Sequence, residues 1–143
     1  MIRRRYLSAY AALPAEEKAE LWRSWFLILL AKLIAPQLGV GRTVQINERL
    51  LALATGQPVA AERVAELVEV AGRRFPRGST CLERAIALVA LLRRGNHRAK
   101  LAIGVRRHGH AHRDFAHAWV EVDSSRRLAG QPADGLFVRV HEF

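Results

Sequence analysis

The hydrophobic period of the chain changes once, near residue 95. Up to that point apolar residues recur every three to four positions, and beyond it they alternate. A period of 3.6 buries one face of a helix and a period of 2 buries one face of a strand. Helices followed by strands, rather than interleaved with them, predict an α+β domain with an antiparallel sheet. In the first helix, Pro14 and three early acids (Glu16, Glu17, Glu20) suit a helix N-terminus. Its stripe is Leu21, Trp22, Trp25, Phe26, Leu29, Leu30, Leu33 and Ile34, and Pro36 is predicted to end it. A second helix is expected over Asn47 to Ala54, with Asn47 as N-cap and Thr55-Gly56 as stop. A third is expected over Ala60 to Ala71, with Val64, Leu67, Val68 and Ala71 inward and Gly72 at its end.

After a turn at Arg77-Gly78-Ser79, Thr80-Cys81-Leu82-Glu83 has the form of a capping box, which puts Cys81 at the first helical position. Leu82, Ala85, Ile86, Val89 and Leu92 form the buried side, Arg93 and Arg94 complement the negative end, and Gly95 is expected as a left-handed cap. Leu101, Ile103 and Val105 then alternate. Phe115 to Val122 reads as a second strand, Asp123 to Arg126 as a tight turn, Arg127 to Gly130 as a return strand and Phe137 to Val140 as the last.

At 143 residues one domain is expected, with a helical part over 1–75 and a core carrying the chemistry over 76–143. Its 23 basic residues against 13 acids leave a formal charge of +10, which favours acidic partners. Nucleic acid is the usual one, but the arginines are spread over the whole length without a nucleic-acid-binding motif, and an acidic peptide or a protein partner fits equally well. Cys81 is the single cysteine; no intrachain disulfide can form, and the cytoplasm is the default compartment. The most apolar run, Trp25 to Ala35, is about eleven residues against the roughly 20 of a membrane span. The basic start Met1 to Arg5 lacks the apolar run and cleavage site of a signal peptide.

Two patterns carry chemistry. A thiol at a helix N-terminus is a thiolate candidate, because the dipole and the free amides favour negative charge there; the same amides can hold an oxyanion. In Phe115-Ala116-His117-Ala118-Trp119-Val120-Glu121-Val122 the alternation puts Phe115, His117, Trp119 and Glu121 on one face. A helix start bearing Cys packed on a sheet bearing His is the arrangement of a thiolate–imidazolium pair. The second pattern, His108-Gly109-His110-Ala111-His112 with Asp114 nearby, spaces three imidazoles for a metal. Arg106, Arg107 and Arg113 crowd the same loop and would repel a dication, so the segment is read as an exposed loop near a substrate cleft, without a metal.

The run Ser79-Thr80-Cys81-Leu82-Glu83-Arg84-Ala85, Leu91 to Gly95, Ile103-Gly104-Val105 and Phe115 to Val122 resembles the transglutaminase-like leader peptidase of lasso-peptide biosynthesis, over about residues 70–140. The resemblance implies a papain/transglutaminase-like core and no cofactor. Its implied activity is cysteine proteolysis, with Cys81 as nucleophile and His117 as general base. It also implies the split form of the family, because 143 residues leave no room for a leader-binding domain. The implied partners are a precursor peptide, a separate leader-recognition protein and an ATP-dependent lasso cyclase. Trp119, Arg106, Arg107 and Arg113 are the candidates for contact with the peptide.

A third member should fix the His tautomer. A turn centred on Ser124-Ser125 sets His117 opposite Gln131 and Pro132, so Gln131 and Asp134 both stand as candidates. Asp123, at the hairpin tip, is about 20 Å away along six residues of strand. Two other functions compete: a different transglutaminase-like hydrolase or acyltransferase, and a basic binding module without catalysis.

Overall fold

The computed structural model describes residues 8–106, 116–123, 126–128 and 137–143. The architecture is α+β, as expected from the change of period. Helices α1 (Ala15–Leu38), α2 (Val40–Leu51), α3 (Ala61–Arg73) and α4 (Cys81–Arg94) precede strands β1 (Ala99–Arg106), β2 (Ala116–Val122), β3 (Arg126–Leu128) and β4 (Phe137–Glu142). The sheet is antiparallel throughout, in the order β3-β2-β1-β4.

α4 is the centre of the molecule. Ala85 to Leu92 are all buried, because α1, α2 and α3 pack around one side of the helix while β1 and β2 cover the other. A helix apolar over its whole circumference needs such enclosure. Charged pairs bind the outer helices to α4 and to one another: Arg94 of α4 to Glu20 of α1 at 3.0 Å, Arg93 of α4 to Glu48 of α2 at 2.7 Å and Arg63 of α3 to Glu17 of α1 at 2.8 Å.

Several helix boundaries differ from expectation. Pro36 lies inside the last turn of α1, and the helix stops three residues later at Gly39, whose φ of 80° favours a residue without Cβ. Proline's φ suits a helix, so near a C-terminus it need not be the stop. The helix expected from Asn47 begins at Val40, and Asn47 lies inside it, fully buried. Its inward face is Thr43, Val44, Asn47 and Leu51, and two polar members break the apolar rhythm. Gly72 is inside α3 rather than beyond it. Gly95 has φ −77°; the left-handed residue is Asn96, at 62°. Asn tolerates that region, so the reversal falls one residue later.

α1 is also longer than the apolar run suggests. With 24 residues it is long and apolar enough to cross a bilayer by length and composition alone. Its face of Glu20, Ser24, Leu27, Ile28 and Ala31 is buried in the fold, whereas Trp22, Phe26 and Leu33 are exposed.

Candidate active site

Cys81 is the first residue of α4, as the capping box predicted. Thr80 Oγ1 accepts from the Glu83 amide at 3.2 Å, and the Glu83 carboxylate accepts from the Thr80 amide at 2.9 Å. Lys32 of α1 approaches Glu83 at 3.3 Å and anchors this turn to the first helix. The approach to the cap is equally constrained. Arg77 and Gly78 have φ of 65° and 72°, and Ser79 Oγ donates to the Gly72 carbonyl at 2.9 Å. A Cβ on Gly72 would lie 2.7 Å from Ser79 Oγ and 2.8 Å from Arg84 Cγ, so α3 admits this segment only because residue 72 has no side chain. The thiol is half-buried and free, packed against the edge of the core. The capping box occupies the Thr80 and Glu83 amides and leaves those of Cys81 and Leu82 for a ligand.

His117 is the second residue of β2, opposite Gly104 of β1. α4 rises about 20 Å over its 14 residues. The chain reverses at Gly95 to Arg98, and β1 climbs back about 17 Å from Ala99 to Gly104. Gly104, and His117 with it, therefore stand level with the Cys81 end of α4.

The faces separate them. Ala118, Val120 and Val122, with Ala99, Leu101 and Ile103 across the ladder, join the core that includes α4. By strand alternation His117, Trp119 and Glu121 share the opposite face, as the sequence predicted, but that face is turned away from α4. Cys81 and His117 thus lie at one end of the helix–sheet layer, on opposite sides of the sheet plane.

On that far face the His117 ring lies 5.4 Å from Phe137 of β4 and 6.5 Å from Trp119, centroid to centroid. Trp119, expected to touch peptide, is 2 % exposed: its ring covers Gly104 and its Nε1 donates to Glu121 Oε1 at 2.9 Å. Arg139 of β4 donates to the same carboxylate and to Glu142 at 3.1 Å. Lys100 of β1 lies 3.0 Å from Glu142 and, ahead of Arg139, holds the Glu142 carboxyl below its ordinary range. Glu121, Arg139 and Phe137 were not singled out from the sequence. The available signals were the shared face of Glu121 and a glycine within β1, which marks a close approach.

Asp123 follows β2 with φ 52°, six residues from His117, and its amide donates to the Arg98 carbonyl. The pairs Val120↔Leu128, Glu121↔Arg127 and Val122↔Arg126 set the hairpin register next to it. Arg106 ends β1. Gln131, Asp134, Arg107, Arg113, the three loop histidines and Asp114 lie outside the described residues. Among the described residues no group of three or more metal-ligating side chains occurs.

No curated protein and no solved structure matches the chain. The Transglutaminase-like superfamily matches over residues 26–136, a span that reaches from α1 past the His117 strand and includes Cys81. With its α+β architecture and a cysteine opening the central helix, the chain belongs to the transglutaminase-like superfamily.

Proposed function

We propose that this protein is a cysteine peptidase that removes the leader from a ribosomally made lasso-peptide precursor. The observation that carries the proposal is Cys81 at the start of a capped, buried helix, level with His117, in a chain of the transglutaminase-like superfamily. In the proposed reaction His117 takes the thiol proton and Cys81 Sγ attacks the scissile carbonyl carbon. The carbonyl oxygen becomes an oxyanion held by the Cys81 and Leu82 amides. His117 returns the proton to the leaving amine, and water, deprotonated by the same imidazole, hydrolyses the thioester. The reading requires the imidazole to come round the end of the sheet, and its place next to the first residue of β2 suits that movement. Gln131 or Asp134 is the proposed third member, and Arg106, Arg107 and Arg113 the proposed contacts for acidic residues of the peptide. A leader-recognition protein would raise the local concentration of substrate, a cyclase would consume the product, and a reducing cytoplasm would suit the lone thiol.

The test is mass spectrometry of a lasso precursor incubated with the chain, with and without a leader-recognition protein. Cleavage at the leader boundary is expected, increased by that protein and lost in both Cys81→Ala and His117→Ala, since either loss disables one nucleophilic unit. Cys81→Ser should be nearly as inactive. Full cleavage by Cys81→Ala would reject the mechanism. Transfer of the acyl group to an added amine in preference to water would replace the peptidase by an acyltransferase.

A further inference from the structure

We infer that Glu121 is a positioning residue for His117, acting through the indole of Trp119; its catalytic consequence rests on the peptidase reading above. The three side chains stand in a row on the far face of β2. Trp119 Nε1 donates to Glu121 Oε1 at 2.9 Å, and Arg139 donates to the same oxygen. Arg139 is tied in turn to Glu142, and Glu142 to Lys100, so the carboxylate is braced from both β4 and β1. Glu121 is only 8 % exposed, and a carboxylate so buried is retained at a cost that these partners offset.

The bound indole has a specific place. A Cβ on Gly104 would come within 2.7 Å of Trp119 Cη2 and 2.8 Å of Cζ3, so the ring fills the space left by the absent side chain. Gly104 is itself the residue paired with His117. The imidazole lies at 18° to the indole plane and is flanked on the β4 side by Phe137 at 40°. Two rings from two strands therefore bound the orientations open to His117. The position of one of them is set by the Glu121 hydrogen bond from below and by Gly104 from the side. Glu121 cannot replace an acid that contacts the imidazole; it limits where the imidazole can point before that contact is made.

The experiment reads His117 directly. Its imidazole proton signals, assigned by difference from His117→Ala, report the ring currents of Trp119 and Phe137. The rate of Cys81 alkylation by iodoacetamide at neutral pH, with and without His117, reports the pair. Glu121→Leu and Gly104→Ala should each move the His117 signals, because each displaces the indole whose ring current the imidazole senses. Trp119→Phe, which keeps a ring and loses the donor, should do the same. Glu121→Gln keeps an acceptor for the indole and should leave the His117 signals close to their native positions. If Glu121→Leu does not fold, Gly104→Ala and Trp119→Phe decide the question. Unchanged His117 signals in folded variants would overturn the inference. Alkylation of the native protein at a rate indifferent to His117 would instead overturn the peptidase reading, while a shift of the His117 signals would still uphold the positioning.

Discussion

Asn47 carries an amide into the most protected layer of the fold, where neither its oxygen nor its nitrogen has a hydrogen-bond partner. An orphaned buried polar group costs about 1–3 kcal/mol, so the usual sign of a core truncation should reverse here. Asn47→Ala is expected to raise stability by about 1 kcal/mol, aided by alanine's higher helix propensity. Thermal unfolding of the two proteins checks it, and a lower midpoint would show that the amide is satisfied in solution. The same residue shows how a sequence misleads. Asn is a strong N-cap, and position 47 precedes an apolar run, so the local rules agree on a helix start. They have no access to the packing of α2 on α4, which makes a polar residue part of a buried stripe. Cys81 is the opposite case: its neighbours Thr80 and Glu83 are enough to define its environment, because both halves of a capping box lie within four residues.

At the scale of elements, α4 is held at its N-terminus by that box and by the close approach of α3 at Gly72. Thr80→Ala removes one arm and is expected to cost about 1 kcal/mol in thermal stability. If the first turn frays, the amides of Cys81 and Leu82 lose their alignment, so iodoacetamide labelling of Cys81 at neutral pH should also slow. Loss of stability with unchanged labelling would separate the cap from the chemistry. The strands were legible for a related reason. Leu101, Ile103 and Val105 alternate cleanly because one face of β1 meets α4, and the hairpin register follows from the short turn after Val122. The direction in which the sheet faces was not legible. Alternation says that His117, Trp119 and Glu121 share a side, and only the cluster formed by Ala118, Val120 and Val122 with α4 says which side it is.

Across the whole molecule, the helical part and the sheet share one core, since α4 contributes to both. Glu20 is 2 % exposed and paired to Arg23 and Arg94, so it joins α1 to α4 in the interior. Removing Glu20 takes the shared carboxylate from two half-buried guanidinium groups, and Glu20→Ala should cost about 3 kcal/mol. Helical circular dichroism and tryptophan fluorescence should lose structure together, because Trp22 and Trp25 lie in α1 and Trp119 in β2. Two separate transitions would show that the halves fold independently. By itself the sequence determined the α+β class, the capped helix that opens with Cys81, the strand alternation that puts His117, Trp119 and Glu121 on one face, and a resemblance to a transglutaminase-like peptidase. These are properties of period, of caps and of short motifs, all settled by residues within a few positions of one another. The start of α2, the burial of Asn47 and Trp119, the brace from Arg139 through Glu121, and the face on which His117 lies were decided only by tertiary structure. Each depends on which surfaces meet across long sequence separations, and the free energy of that meeting resides in contacts that no local pattern records.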